Sequence, residues 1–134
     1  CCLMIFDVDD FKSVNDLLGH RAGDALLRDV ASVVRSHLRQ SDIVGRLGGD
    51  EFVALLRGAT EEIAAEKGKE LLQAIRQLND TPTEDQRALT ISIGFACAPE
   101  YGRTFSELYA AADTALYEAK RNGKNRCSSA TRDE

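Results

Sequence analysis

Apolar runs and amphipathic stretches take turns along the chain. Residues 1–6 are unbroken apolar sequence ending at Asp7 and read as a buried strand. Residues 11–18 read as a short helical turn broken by Gly19 and His20. Ala22, Leu26, Leu27, Val30, Val33, Val34, His37 and Leu38 then recur at i, i+4 and i+8 spacing, which predicts an amphipathic helix with one face on a core. His37 lies on that face and reads as structural. Residues 43–47 and 52–56 flank Gly48, Gly49, Asp50 and Glu51, the pattern of a β-hairpin around a short Gly-containing turn. Thr60, as an N-cap followed by Glu61 and Glu62, opens a helix running to about residue 78. A polar loop over residues 79–84 contains Pro82. Residues 89–95 alternate apolar and polar, the signature of a half-buried strand. Phe105, Leu108, Tyr109, Ala112, Ala115, Leu116 and Ala119 predict a last helix over about 104–122, stopped by Gly123. A short strand near Arg126 would close a domain over 1–127, with 128–134 as a solvated tail or linker.

The order is β-α-α-β-β-α-β-α with a final short β. A hairpin in mid-chain points to a mixed or antiparallel sheet with helices packed on it, rather than a doubly wound parallel sheet. A length of 134 residues suits one domain with its own core, and 43% hydrophobic with 29% charged residues is ordinary for a globular protein. The net charge of −5 argues against a general nucleic-acid binder. It leaves room for one nucleotide held through a metal and a few lysines. No apolar run approaches the ~18 residues of a membrane span, and no signal peptide is visible. Residue 1 is not Met and the first strand is already under way there, so the chain reads as a fragment of something longer. Cys1, Cys2, Cys97 and Cys127 show no Cys-x-x-Cys spacing and each falls in or beside a strand, where a free Cys acts as a small buried hydrophobe. That reading favours a reduced, cytoplasmic setting, with a parent protein free to be membrane-tethered.

Chemistry concentrates at two acidic strand ends. Asp7, Val8, Asp9, Asp10, Phe11 and Lys12 follow the first strand, and Arg46, Leu47, Gly48, Gly49, Asp50, Glu51 and Phe52 form the hairpin turn. Ionised carboxylates beside buried strands are costly unless a cation sits between them. If the two strands are neighbours, Asp7 and Asp50 converge on one divalent metal site. Oxygen-only ligands suit Mg2+, which binds through one or two carboxylates together with substrate phosphates. The residues therefore suggest metal-assisted chemistry on a nucleotide. Taken alone, the Gly-Gly-Asp-Glu segment is equally a plain hairpin turn. The plain alternative for Asp7 is a helix N-cap.

Several motifs in order then resemble one family. The block D-x-D-x-F-K-x-x-N-D-x-x-G-H-x-x-G-D runs from Asp7 to Asp24. The GGDEF loop spans Gly48 to Phe52, and A-K-x-x-G-K-N spans Ala119 to Asn125. Together these resemble the GGDEF family of diguanylate cyclases over essentially the whole chain. The resemblance implies an α/β (α+β) fold of the nucleotide-cyclase and polymerase-palm type, a central mainly antiparallel five-stranded sheet surrounded by helices. It implies condensation of two GTP into cyclic di-GMP and two pyrophosphates, across a homodimer and with Mg2+ (Mn2+ as a substitute).

It also implies residue roles. Asp7, the Val8 carbonyl, Asp50 and Glu51 would hold metal, with Asp50 preferred over Glu51 as proton acceptor. Asp9 and Asp10 would cap the helix or face solvent. Gly48 and Gly49 would let the hairpin backbone approach the nucleotide. Asn15 and Asp24 would read guanine with His20 lining the pocket; the plain alternative for His20 is a structural histidine beside a glycine turn. Lys12 would act on the phosphates as charge shifts, and Lys120 and Lys124 would hold the β- and γ-phosphates. Their bland reading is as surface lysines favoured by a helix C-terminus. Many relatives carry Arg at the Lys124 position, so a forked contact there is in doubt. Arg39 and Asp42, with five residues between Asp42 and Gly48, match the family's product-inhibition site, against a surface salt bridge. Relatives carry a helix and a D-x-L-T-x-L-x-N-R segment upstream of the first strand, and this chain begins after it. Unknown sensory or effector domains of the parent chain would complete the partners.

Two rivals stand beside that reading. One is a non-catalytic module sensing GTP, or cyclic di-GMP through Arg39 and Asp42, that regulates an attached domain. Intact Asp7, Asp50, Glu51 and Lys12 count against it. The other is a different purine nucleotide cyclase, which Asn15 and Asp24 disfavour.

Overall fold

The computed structural model of the protein describes residues 1–77 and 90–130; the side chains of Ser13, Val14, Leu17 and Leu18 also lie outside this set. The elements are β1 (Cys2–Val8), α1 (Phe11–Leu18), α2 (His20–His37), β2 (Ile43–Gly48), β3 (Glu51–Leu56), α3 (Glu61–Gln77), β4 (Ile91–Cys97), α4 (Phe105–Arg121) and β5 (Cys127–Ser129). The strands form one sheet in the order β2-β3-β1-β4-β5. Every neighbouring pair is antiparallel except β4 and β5, which are parallel. The mid-chain hairpin thus makes a mainly antiparallel sheet, as its two-residue turn requires.

Side-chain alternation divides the sheet into two faces. Cys2, Met4, Phe6 and Val8 of β1 join Phe52, Ala54, Ile91, Ile93 and Phe95 in a core beneath α2 and α3. Leu3 and Ile5 point the other way and pack with Ala96 against Leu108, Ala112 and Leu116 of α4. Asp7, two residues beyond Ile5, continues this second face to the strand end. Register then decides its neighbours: Asp7 lies opposite Glu51 on β3 and opposite Ser92 on β4.

The N-cap expected at Thr60 forms, and Thr104 makes a second one that was not anticipated. Thr60 Oγ1 accepts from Ile63 N (3.3 Å) at α3, and Thr104 Oγ1 accepts from Glu107 N (3.2 Å) at α4. The stop at residue 123 is a glycine with φ +121°. The expected end of α3 at residue 78, the polar loop at 79–84 and the first residue of the fourth strand, Leu89, lie outside the described residues.

Residues 11–18 form the short first helix that the element order predicts, packed on α2. Three expectations need correction. The fourth strand is not half-buried: all seven residues of β4 are buried, because the α3 side and α4 cover its two faces. The chain beyond residue 127 is not all tail. Ser128 and Ser129 belong to β5, and Ala130 is buried, its N–H donating to Phe95 O (2.8 Å). Cys2 and Cys97 are not free thiols. The β1–β4 register sets them opposite one another, and they form a disulfide spanning 95 residues of sequence, with Cys1 and Cys127 free. Cross-strand register has no signature in linear spacing, and the disulfide removes the cysteine argument for a reduced compartment. Among the described residues, no helix is long and apolar enough to cross a membrane.

Candidate active site

The site forms where β1 and β3 end on the α4 face of the sheet. The hairpin turn at Gly49 and Asp50 is braced by Arg46 Nε donating to Gly49 O (2.8 Å). Gly49 has φ +51°, a left-handed conformation that glycine adopts without penalty. A Cβ built at Gly48 or Gly49 would meet nothing within 4 Å, so this backbone faces open space. The Asp50 carboxylate lies close enough for its charge to raise the pKa of Asp7. The β1–β3 register sets Asp7 opposite Glu51, the residue after Asp50, so the two acidic segments adjoin.

Asp7 is the electrostatic centre. Its side chain is 12% exposed, Lys120 Nζ donates to Oδ2, and Oδ1 is buried without a partner. Burial is the largest influence and pushes its pKa up to about 6; the Lys120 ammonium pulls the other way, and Asp50 and Asp9 add to the rise. An acid whose folded pKa lies above its unfolded value of 3.8 costs stability when ionised. The cost is absent below about pH 4 and fully felt above about pH 6. Asp7→Asn is therefore expected to stabilise the metal-free protein at pH 8 by roughly 3 kcal/mol. The gain should vanish by pH 4, as read from urea midpoints across that range. A pH-independent difference would refute the assignment. The same buried, half-paired carboxylate fits a divalent cation, since an orphaned oxygen anion is what such an ion satisfies.

Glu51, facing Asp7 across the β1–β3 ladder, accepts from the Tyr109 hydroxyl at Oε1 (2.8 Å). Among the described residues, no group of three or more His, Cys, Asp or Glu side chains is already converged as a ligand set. Lys120 is the positive charge paired with Asp7. Lys124, in a left-handed conformation (φ +62°) just past α4, pairs with Asp10 (2.7 Å). Asp10 raises the Lys124 pKa. Both lysines thus reach the acidic strand end in this structure.

Asp9 departs from expectation. It neither caps a helix nor faces solvent: it is buried and accepts from Ser92 Oγ (2.6 Å), Thr90 Oγ1 (2.7 Å) and Asn125 N (3.0 Å). Its carboxylate ties β1 to β4 and to the loop after α4 that carries Lys124. A spacing of two from Asp7 was the available signal, because alternation puts both on one face. Asp10 does occupy the N-cap position of α1, but its side chain makes no capping bond there.

The residues expected to read a base cluster at the α1–α2 corner. Gly19 N donates to Asn15 O (2.8 Å) and Gly23 N to Gly19 O (3.0 Å). Gly23 packs against the Asn15 amide so tightly that a Cβ there would fall 1.9 Å from Oδ1. Asn15 Oδ1 is buried and unpartnered, a polar group left for a ligand. His20 and Asp24 are exposed one turn apart on α2, and Lys12 is exposed on the first turn of α1.

Arg39 and Asp42 sit at the far end of β2. Asp42 accepts from Arg39 N (2.9 Å) and Arg57 N (3.2 Å), and Arg39 Nη2 lies 3.7 Å from its carboxylate. They line a cavity of about 420 Å³ with Arg35, Leu38, Gln40 and Val44. His37 is structural as expected: its Nδ1 lies 3.1 Å from Glu70 Oε1, and Lys67 Nζ donates to the His37 carbonyl (2.6 Å).

Comparison with known proteins bears directly on this arrangement. Residues 1–126 match the family model described as diguanylate cyclase, GGDEF domain. The chain belongs to the GGDEF domain family. It is 38% identical over 131 residues to the probable diguanylate cyclase DgcT of Escherichia coli, covering 93% of this chain and 28% of that protein. Among solved structures, an EAL/GGDEF domain protein from M. capsulatus superposes with TM-score 0.87 at 40% identity, over 98% of this chain and 84% of that one. The GGDEF domain of DgcB from Caulobacter crescentus, determined in complex with c-di-GMP, gives 0.86 at 33% identity over 96% and 77%. These neighbours share the palm-like α/β sheet. The chain spans little more than a quarter of the length of DgcT, so the full relative carries sequence with no counterpart here.

Proposed function

We propose that this GGDEF domain is a diguanylate cyclase that condenses two GTP into cyclic di-GMP with release of two pyrophosphates. The reading rests on one observation above all: Asp7 presents a buried, unpartnered carboxylate oxygen opposite Glu51 and within the field of Asp50. Family membership supports it, as do relatives named as diguanylate cyclases. Asp7, the Val8 carbonyl, Asp50 and Glu51 would hold Mg2+ (or Mn2+). Bound there, the ion would supply Lewis acidity that lowers the pKa of a ribose 3′-hydroxyl and offsets charge on the α-phosphate.

The chain's own residues do the rest. Lys120 leaves Asp7 for the β- and γ-phosphates, with Lys124 and Lys12 beside it. Asn15, His20 and Asp24 hold guanine. Asp24 accepts from the ring N1–H and exocyclic amine, a donor pair adenine lacks, and the Asn15 amide completes the edge. Gly48 and Gly49 leave the backbone open to the ribose. Asp50 takes the 3′-hydroxyl proton. One GTP per subunit requires two sites face to face, so turnover needs a homodimer. Domains of the parent chain would control that encounter.

Concentrated protein incubated with GTP and Mg2+ should yield cyclic di-GMP, resolved by chromatography. GTP binding without product, in a forced dimer freed of bound ligand, would favour the sensing module instead. The cavity at Arg39 and Asp42 would take cyclic di-GMP as a feedback inhibitor, with Arg39 forking onto phosphate or stacking on guanine. Arg39→Ala is expected to raise the inhibitory product concentration about tenfold, the loss of one or two charge-assisted contacts. An unchanged inhibition curve would reject that site.

A further inference from the structure

The proposed chemistry assigns no part to Tyr109, whose place in the sequence is a core-facing position of the last helix. Its hydroxyl nevertheless reaches from α4 to the end of β3 and donates to Glu51 Oε1 (2.8 Å). Among the described residues this is the only side-chain hydrogen bond Glu51 makes, so one carboxylate oxygen is fixed and the other is left free. The phenol is itself held: Phe105, one helical turn earlier, lies with its ring centroid 5.9 Å away at a 32° tilt.

Tyr109 and Lys120 are 11 positions apart, close to three full helical turns, and so share one face of α4. Lys120 holds Asp7, and Tyr109 holds Glu51, its partner across the β1–β3 ladder. One helix therefore sets both acids.

We propose that Tyr109 is a positioning residue that aims the Glu51 carboxylate, so that its free oxygen meets the divalent cation shared with Asp7 and Asp50. The inference builds on the cyclase reading. A neutral O–H donor on one oxygen fixes the rotamer of Glu51 without neutralising it, and leaves it a ligand. Lysine at the same place would compete with the cation, whereas phenylalanine would leave the carboxylate to rotate. Hydrogen-bond partners of metal-binding carboxylates act in this way.

Tyr109→Phe keeps the ring and its packing on Phe105 and removes only the hydroxyl. Mn2+ titrated into the protein and followed by electron paramagnetic resonance should bind about tenfold more weakly in Tyr109→Phe. Steady-state rates with GTP and Mg2+ should show kcat reduced by a similar factor, with KM for GTP little changed. In a Glu51→Gln background, Tyr109→Phe should add nothing to either loss. Unchanged Mn2+ affinity in Tyr109→Phe, or an equal further loss on top of Glu51→Gln, would overturn the inference. If the wild-type domain makes no cyclic dinucleotide yet Tyr109→Phe still weakens Mn2+ binding, the cyclase reading falls and the positioning role stands.

Discussion

Replacing Asp50 with alanine is expected to lower cyclic di-GMP synthesis at least about a hundredfold and leave the fold unchanged. Asp50 sits in the hairpin turn rather than in a strand ladder, and it makes no side-chain hydrogen bond among the described residues. Nothing in the sheet depends on it. Its carboxylate instead acts on Asp7, raising that acid's pKa through like charge. Two like charges held near each other cost stability, and the proposed cation would offset that cost. Product analysis with GTP and Mg2+, beside circular dichroism and a thermal melt, reads both halves of the expectation. Turnover within a fewfold of wild type would remove Asp50 from the chemistry. Loss of activity together with loss of fold would instead make it a structural turn residue.

The largest stability effect should come from Gly94→Ala. A Cβ at this position of β4 would lie 2.2 Å from Leu116 N and 2.3 Å from Ala112 O, both backbone atoms of α4. A flexible neighbour could turn aside; a helix backbone cannot. The whole helix would have to lift from the sheet, opening the layer formed by Leu3, Ile5, Ala96, Leu108 and Leu116. A destabilisation of about 3 kcal/mol or more is expected, at the upper end for overpacking. Lifting α4 also withdraws Tyr109 from Glu51 and Lys120 from Asp7, so activity should fall at temperatures where the variant remains folded. A urea midpoint equal to wild type would show that the close approach of α4 to β4 is wrong.

Much of the architecture is legible in linear order because it is local. Residues 22–38 repeat with helical period and fold as α2; the strand-turn-strand pattern around Gly48 and Gly49 folds as β2 and β3. The caps at Thr60 and Thr104 use side chains a few residues from the groups they satisfy. The 89–95 segment shows the limit of such local signals. Its alternation is real, but whether the polar side meets water depends on a helix from elsewhere in the chain. Ser92 turns its hydroxyl to the buried carboxylate of Asp9 instead.

The sequence by itself determined which elements form, which of their faces are apolar, and that two acidic segments lie at strand ends, one of them beside glycines. These follow from period, capping and turn chemistry, which act over a few residues. Only the tertiary structure decided the partners: Glu51 opposite Asp7, Cys2 bonded to Cys97, Asp9 buried as a three-way tie, and Tyr109 and Lys120 each holding one acid. Strand order and register bring together residues tens of positions apart, and they are set by how two apolar faces pack between helices. No spacing along the chain encodes that result, because burial rewards the assembled sheet as a whole.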